Sequence, residues 1–142
     1  MNNDAVHRTY QENNMAAARI VHLALKVDDL DYATKFYEQV FGFKHIKTEH
    51  KRQHTSRHLS DGHIDFTLVH YDNEDHAEAL LSGPGPCIHH YGVAVGDQEE
   101  IAEKIKALGG EILSPPGSGA LKFRAPDGTL AEIVQEGRYA TE

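Results

Sequence analysis

Two stretches of this chain carry the same pattern, a strand that opens on a histidine. In Ile20–Asp28, side-chain alternation puts His22 and Ala24 on one face and Val21, Leu23, Leu25 and Val27 on the other. In Gly85–Asp97 it puts His90, Gly92 and Ala94 on one face and His89, Tyr91, Val93 and Val95 on the other. A strand face with little on it but an imidazole borders a hollow. Each strand then leads into a helix signal. Asp28, Asp29 and Asp31 precede an apolar stripe at Ala33, Phe36, Tyr37 and Val40 that stops at Gly42. Asp97 and Glu100 form a capping-box-like pair before Ile101, Ile105 and Leu108, and Gly109-Gly110 ends that stripe. The distance from each histidine to its helix-ending glycine is nearly the same, so the chain reads as a duplication.

The remaining segments fit that frame. In the first half, Phe43–Ile46 and the polar run Lys47–His58 read as a strand and a mobile connection. Leu59–Gly62 is a turn signal, and Ile64, Phe66 and Leu68 then alternate with Asp65, Thr67 and Val69 in a strand whose polar side faces the hollow. Tyr71–Pro86, acidic and then rich in Gly and Pro, suits a linker. The second half continues with Glu111–Leu113, a Pro/Gly loop, Leu121–Arg124, and the turn Pro126-Asp127-Gly128 into Leu130–Val134. Each half is a strand, a helix and about three further strands. This gives one domain over residues 19–142 made of two modules, about 19–75 and 87–138, behind a flexible tail at 1–18.

The 142 residues, 39% hydrophobic, suffice for one core, and no apolar run is long enough for a membrane span or a signal-peptide core. A formal charge of −8, from 14 Lys+Arg against 22 Asp+Glu, argues against nucleic acid and anionic membranes as partners. The single cysteine, Cys87, excludes an intrachain disulfide and suits the cytoplasm. Of eleven histidines, His45, His50, His54, His58, His70 and His76 lie in polar surroundings and read as solvated surface. Arg52, Arg57, Lys122 and Arg124 read as surface cations or as contacts for an anionic substrate.

His22, His90 and Glu132 are the residues with chemistry to offer. Two imidazoles and a carboxylate are the minimum set for a catalytic divalent metal with positions open to substrate. Taken singly, each histidine also suits a hydrogen-bonded core position, and Glu132 suits an edge charge beside Arg124. The duplication favours convergence, because equivalent strands of two related modules face one another. Partial desolvation of Glu132 in such a hollow is expected to raise its pKa towards that of a usable base.

His22-Leu-Ala-Leu-Lys-Val-Asp28, His90-Tyr-Gly-Val-Ala-Val-Gly-Asp97 and Pro126-Asp-Gly-Thr-Leu-Ala-Glu132 resemble the vicinal oxygen chelate superfamily. That superfamily includes glyoxalase I, methylmalonyl-CoA epimerase, extradiol dioxygenases and the bleomycin resistance proteins. The resemblance spans about Ala18 to Gln135, and the Ile88-His89-His90 run is also similar to the epimerase. It implies an α+β fold, two tandem βαβββ modules forming an open curved barrel, which pairs as a homodimer. It implies one divalent metal, zinc, nickel, iron or manganese, on His22, His90 and Glu132. The fourth ligand position is matched by Asp65 when Ile64-Asp65-Phe66 is laid on Ala131-Glu132-Ile133. Ligation by Asp65, a supporting place behind the ligands, and a role as catalytic base all stay open. The activity implied is a lyase or isomerase acting on a small carbonyl or oxygenated substrate, with Glu132 and Asp65 as the proton-transferring carboxylates. Extradiol ring cleavage and metal-free drug binding are the alternatives.

Overall fold

The computed structural model describes residues 18–142. The expected flexible tail at 1–18 therefore lies, but for its last residue, outside the described residues. The chain forms β1 (Ala18–Lys26), α1 (Leu30–Phe41), β2 (Lys44–Lys51), β3 (His54–Ser60), β4 (Asp65–Tyr71), α2 (Ala77–Leu80), β5 (Cys87–Val95), α3 (Gln98–Ala107), β6 (Glu111–Ile112), β7 (Ala120–Arg124) and β8 (Leu130–Gln135). The eight strands make one curved open sheet in the order β2-β3-β4-β1-β5-β8-β7-β6. The order is symmetric about its centre. β1 runs parallel to β4, β5 runs parallel to β8, and β1 meets β5 antiparallel. The two βαβββ modules thus pair within one chain, as an α+β fold.

The helices form where the carboxylate caps lie. Asp29 accepts from the Tyr32 backbone N–H at 2.9 Å, and Asp97 accepts from that of Glu100 at 3.1 Å. Gly42 ends α1 in the left-handed region at φ 73°. Each helix covers the outer face of its module. Leu59, Phe66 and Leu68 pack beneath α1 with Leu23, Leu25 and Tyr37, while Val95, Phe123, Ala131 and Ile133 pack beneath α3 with Ile101 and Ile105. Glu132 lies between Ala131 and Ile133, so burying those two turns its side chain to the opposite, concave face.

Three sequence expectations change. The polar run Lys47–His58 is a full hairpin, turned at Arg52 and Gln53, both at positive φ. Its concave face is polar because it lines a cavity, so apolar alternation was absent from a real strand pair. The linker also carries a docked helical turn, α2. Lys26 donates to the carbonyls of Ala79 and Gly83 at 2.7 and 2.6 Å, and Arg124 donates to that of Leu81 at 2.8 Å. Side chains from both modules thereby satisfy the carbonyls of this segment. Finally, β1 and β5 do not alternate strictly. Their pairing shifts by one residue at Val21 and again at His89, so a β-bulge lies beside each of the two histidines. Among the described residues no helix is long and apolar enough to cross a membrane.

Candidate metal centre

The two equivalent strands bring their histidines face to face. His22 Nε2 and His90 Nε2 are 3.2 Å apart, and the Glu132 oxygens lie 3.6 Å from the first and 3.4 Å from the second. All three side chains are buried. Gly92 makes the approach possible, since a Cβ there would stand 2.9 Å from the His22 Cβ and 3.2 Å from Glu132 Oε1. The Gly92→Ala variant is expected to push β1 from β5 at this point, with the cost of about 1–3 kcal/mol typical of overpacking, roughly 3–12 °C in melting temperature for a domain of this size. Weaker zinc binding should accompany it. Unchanged melting and zinc titration curves would contradict this packing.

Hydrogen-bond direction shows what the trio requires. His22 Nδ1 lies 2.6 Å from Asp65 Oδ1. An ionised carboxylate only accepts, so the ring proton sits on Nδ1 and the Nε2 lone pair faces the cavity. His90 Nδ1 is likewise occupied, by His89 Nδ1 at 2.7 Å. Two imidazole nitrogens and a carboxylate thus converge with donor atoms all within 4.8 Å of one another. Three acceptors in contact repel unless a cation stands among them, so this donor set fits a divalent metal.

Asp65 is not brought to that point. Its Oδ1 accepts from His22 and from the Thr67 hydroxyl, and its Oδ2 accepts from His58 Nδ1 at 2.7 Å. It therefore sits behind His22, on the side of the ring away from His90 and Glu132. Strand register explains why. Ala24 and Gly92 each follow a site histidine by two residues, and their parallel partners are Thr67 and Glu132. The position equivalent to Glu132 is therefore Thr67, and laying Asp65 on Glu132 is two residues out of register. Burial pushes the Asp65 carboxyl up, but the His22 and His58 hydrogen bonds outweigh it and hold it at about 2.

Glu132 also departs from expectation. Burial does push its pKa up, yet the neighbouring His90 and His22 rings and the charge of Lys122 carry it below the usual carboxylate range. Two contacts on Glu132 were not anticipated. Tyr139, returned by the turn at Gly137, donates its hydroxyl to Glu132 Oε1 and stacks on the His22 ring, centroids 4.3 Å apart and planes 11° off parallel. Lys122 Nζ stands 3.8 Å from Glu132 Oε2 and 3.2 Å from Glu78 Oε1 on α2.

These groups line a cavity of about 220 Å³ together with His54, Ser56 and His58 of β3. The surface assignment of His54 and His58 is thus overturned. They are 5% and 7% exposed, and His54 Nδ1 is buried without a hydrogen-bond partner among the described residues. The spacing His54, Ser56, His58 is the period-2 signal that identifies them, within a strand whose inner face is polar throughout. Of the other cations, Arg52 lines the cavity, Arg57 pairs with Asp31 at 2.7 Å, and Arg124 holds backbone carbonyls.

The buried histidines set a pH limit. Burial pushes His89 down to about 4, and it lowers His54 and His90 as well. Unfolded histidines take up protons near 6.5 that the native state refuses. Stability is therefore complete above about pH 6.5 and is lost as pH falls towards 4, by up to about 1.4 kcal/mol per unit for each such group. Denaturant midpoints of metal-free protein between pH 7 and 4.5 measure this, and a flat profile would contradict it.

The family model described as Glyoxalase/Bleomycin resistance protein/Dioxygenase superfamily matches residues 19–133. A probable lactoylglutathione lyase of Vibrio cholerae is 30% identical over 136 residues, covering 85% of this chain and 93% of the relative. A probable chloroplastic lactoylglutathione lyase of Arabidopsis thaliana is 28% identical over 131 residues. The chain spans only 36% of that plant protein and 44% of a second one. Among solved structures, a methylmalonyl-CoA epimerase in complex with methylmalonyl-CoA and ammonium is 25% identical with a TM-score of 0.70, covering 89% of this chain and 99% of the other. The epimerase of Mycobacterium tuberculosis, 20% identical with a TM-score of 0.66 over 82% of this chain and 86% of its own, shares the fold. With a match across 19–133 and the duplicated sheet closing on His22, His90 and Glu132, the chain belongs to the Glyoxalase/Bleomycin resistance protein/Dioxygenase superfamily.

Proposed function

We propose that this chain is a metal-dependent, glyoxalase-like lyase or isomerase acting on a small anionic carbonyl or oxygenated compound. The observation that carries the reading is the convergence of three acceptors, His22 Nε2, His90 Nε2 and Glu132, at one end of a cavity. A divalent metal bound there would act as a Lewis acid on a carbonyl oxygen. The residues supply the rest. Asp65 holds the His22 ring in place, Glu132 is the carboxylate positioned to move a proton, and Tyr139 keeps its hydroxyl on Glu132 Oε1.

The substrate's charge follows from the lining. Lys47, Lys51, Arg52, Lys122 and Arg138 border the cavity against Glu49, Glu78 and Glu132, so five cations meet three carboxylates in a chain of net charge −8. A cationic hollow in an acidic protein draws an anion. Lys122→Met is expected to raise KM for the substrate about tenfold or more, the worth of a charged hydrogen bond. An unchanged KM would remove Lys122 from substrate binding.

The test is exchange of the carbon-bound α-proton with solvent deuterium, followed by proton NMR on anionic carbonyl compounds, lactoylglutathione and methylmalonyl-CoA among them. Elemental analysis of the same preparation identifies the metal. Exchange dependent on metal is the expected result. Reproducible absence of both metal and exchange would overturn the enzyme reading and leave a binding protein.

Ring cleavage is the second reading, favoured by Thr67 at the place symmetric to Glu132. With Asp65 behind His22, the chain offers three donors, and a three-donor site leaves room for both a catecholate and dioxygen. Oxygen uptake on catechols without deuterium exchange would select it. The homodimer belongs to the same reading of the family. Tyr32, Phe36 and Val40 leave an apolar strip exposed on α1, as a buried interface requires. Light scattering that gives a monomer at every concentration would exclude it. With its free Cys87, the chain suits a reducing cytoplasm.

A further inference from the structure

We infer that His89 is a positioning residue that selects the tautomer of His90 and so makes it a metal ligand. This rests on the reading that His22, His90 and Glu132 hold a metal, but the assignment of protons stands on hydrogen bonds alone. Strict alternation would turn His89 to the opposite face from His90. The bulge prevents that. Ala24 pairs with His90 and the next residue, Leu25, with Ile88, so His89 is the extra residue and has no partner in β1. Its ring swings inward, 2% exposed, and meets the His90 ring edge to face with centroids 4.9 Å apart.

The proton order then follows without choice. His89 Nε2 lies 2.7 Å from the backbone carbonyl oxygen of Glu78, which can only accept, so His89 carries its proton on Nε2. In a neutral imidazole the other nitrogen is an acceptor, so His89 Nδ1, 2.7 Å from His90 Nδ1, receives a proton from it. His90 is thereby held as the Nδ1–H tautomer with its Nε2 lone pair towards His22 and Glu132. The opposite tautomer would point an N–H into the metal position. The anchor of the chain is also fixed, because Lys26 pins the carbonyl of Ala79, next to Glu78 in α2, and that of Gly83 just beyond the helix. His89 thus does for His90 what Asp65 does for His22, with a backbone carbonyl behind it in place of a carboxylate.

The experiment reads tautomers directly. Two-bond proton–nitrogen correlation spectra of ¹⁵N-labelled, metal-free protein distinguish protonated from unprotonated ring nitrogens. Wild-type protein is expected to show His90 protonated on Nδ1 and His89 on Nε2. His89→Leu should move His90 to the Nε2–H form and weaken zinc binding about 10- to 100-fold, the usual effect of removing a ligand's outer partner. His89→Gln, whose amide both accepts and donates, should keep the wild-type tautomer at His90 and most of the affinity. Wild-type His90 protonated on Nε2, or a folded His89→Leu protein binding zinc as tightly as wild type, overturns the inference. If wild-type protein bound no zinc, the metal reading would fail while the His90 tautomer still decided the role of His89. If His89→Leu did not fold, the wild-type spectrum would decide alone.

Discussion

His90→Ala is expected to take the protein from one divalent ion per chain to none detectable, and turnover with it. Removing the imidazole deletes one of three converging donors, and His22 Nε2 with one carboxylate is too small a set to retain a catalytic ion through purification. The same change leaves His89 Nδ1 without its donor in a buried place, which typically costs about 1–3 kcal/mol. Metal loss must therefore be read beside a melting curve. His90→Gln is the control, because it fills more of the space while offering an amide, a poorer ligand than imidazole. Full metal occupancy in folded His90→Ala protein would place the metal elsewhere.

How far the sequence carried this site depended on which face of each strand spoke. The duplication was legible because both histidine strands keep an apolar outer face, and that outer alternation locates His22, His90 and Glu132 by default on the other side. The β2–β3 hairpin was not legible, since its inner face, His54, Ser56 and His58, is polar for the cavity's sake and hides the strand period. Asp65 was placed on the correct face, with its role left open between ligand, support and base, but it was matched to Glu132 two residues out of register. Alternation fixes a face, whereas matching Thr67 rather than Asp65 to Glu132 needs the register of two parallel pairs, which depends on contacts between strands. The bulge at His89 inverts alternation itself, and Tyr139 reaches the site from beyond the last strand, where no periodicity exists to read.

Glu132→Gln is expected to lower turnover by about a hundredfold or more even when the protein is saturated with metal, the usual scale for a lost general base. The amide keeps the size of the carboxylate and one oxygen for the metal, but it also brings an NH₂ group into a place built for acceptors and their partners. If that group takes the place of Oε2 it meets the Lys122 ammonium, and if it takes the place of Oε1 the Tyr139 hydroxyl loses its acceptor. Metal affinity should therefore fall as well, and turnover must be compared at saturating metal to separate the two losses. The low pKa makes Glu132 a weak base at rest, held down by His90 and His22 first and by the charge of Lys122 after them. A substrate anion that takes up Lys122 withdraws part of that stabilisation, so binding itself moves the carboxylate towards one that accepts a proton. In that scheme Lys122→Met costs binding first, whereas Glu132→Gln costs turnover first. Normal turnover in metal-loaded Glu132→Gln protein would reduce Glu132 to a ligand and leave the proton to another group.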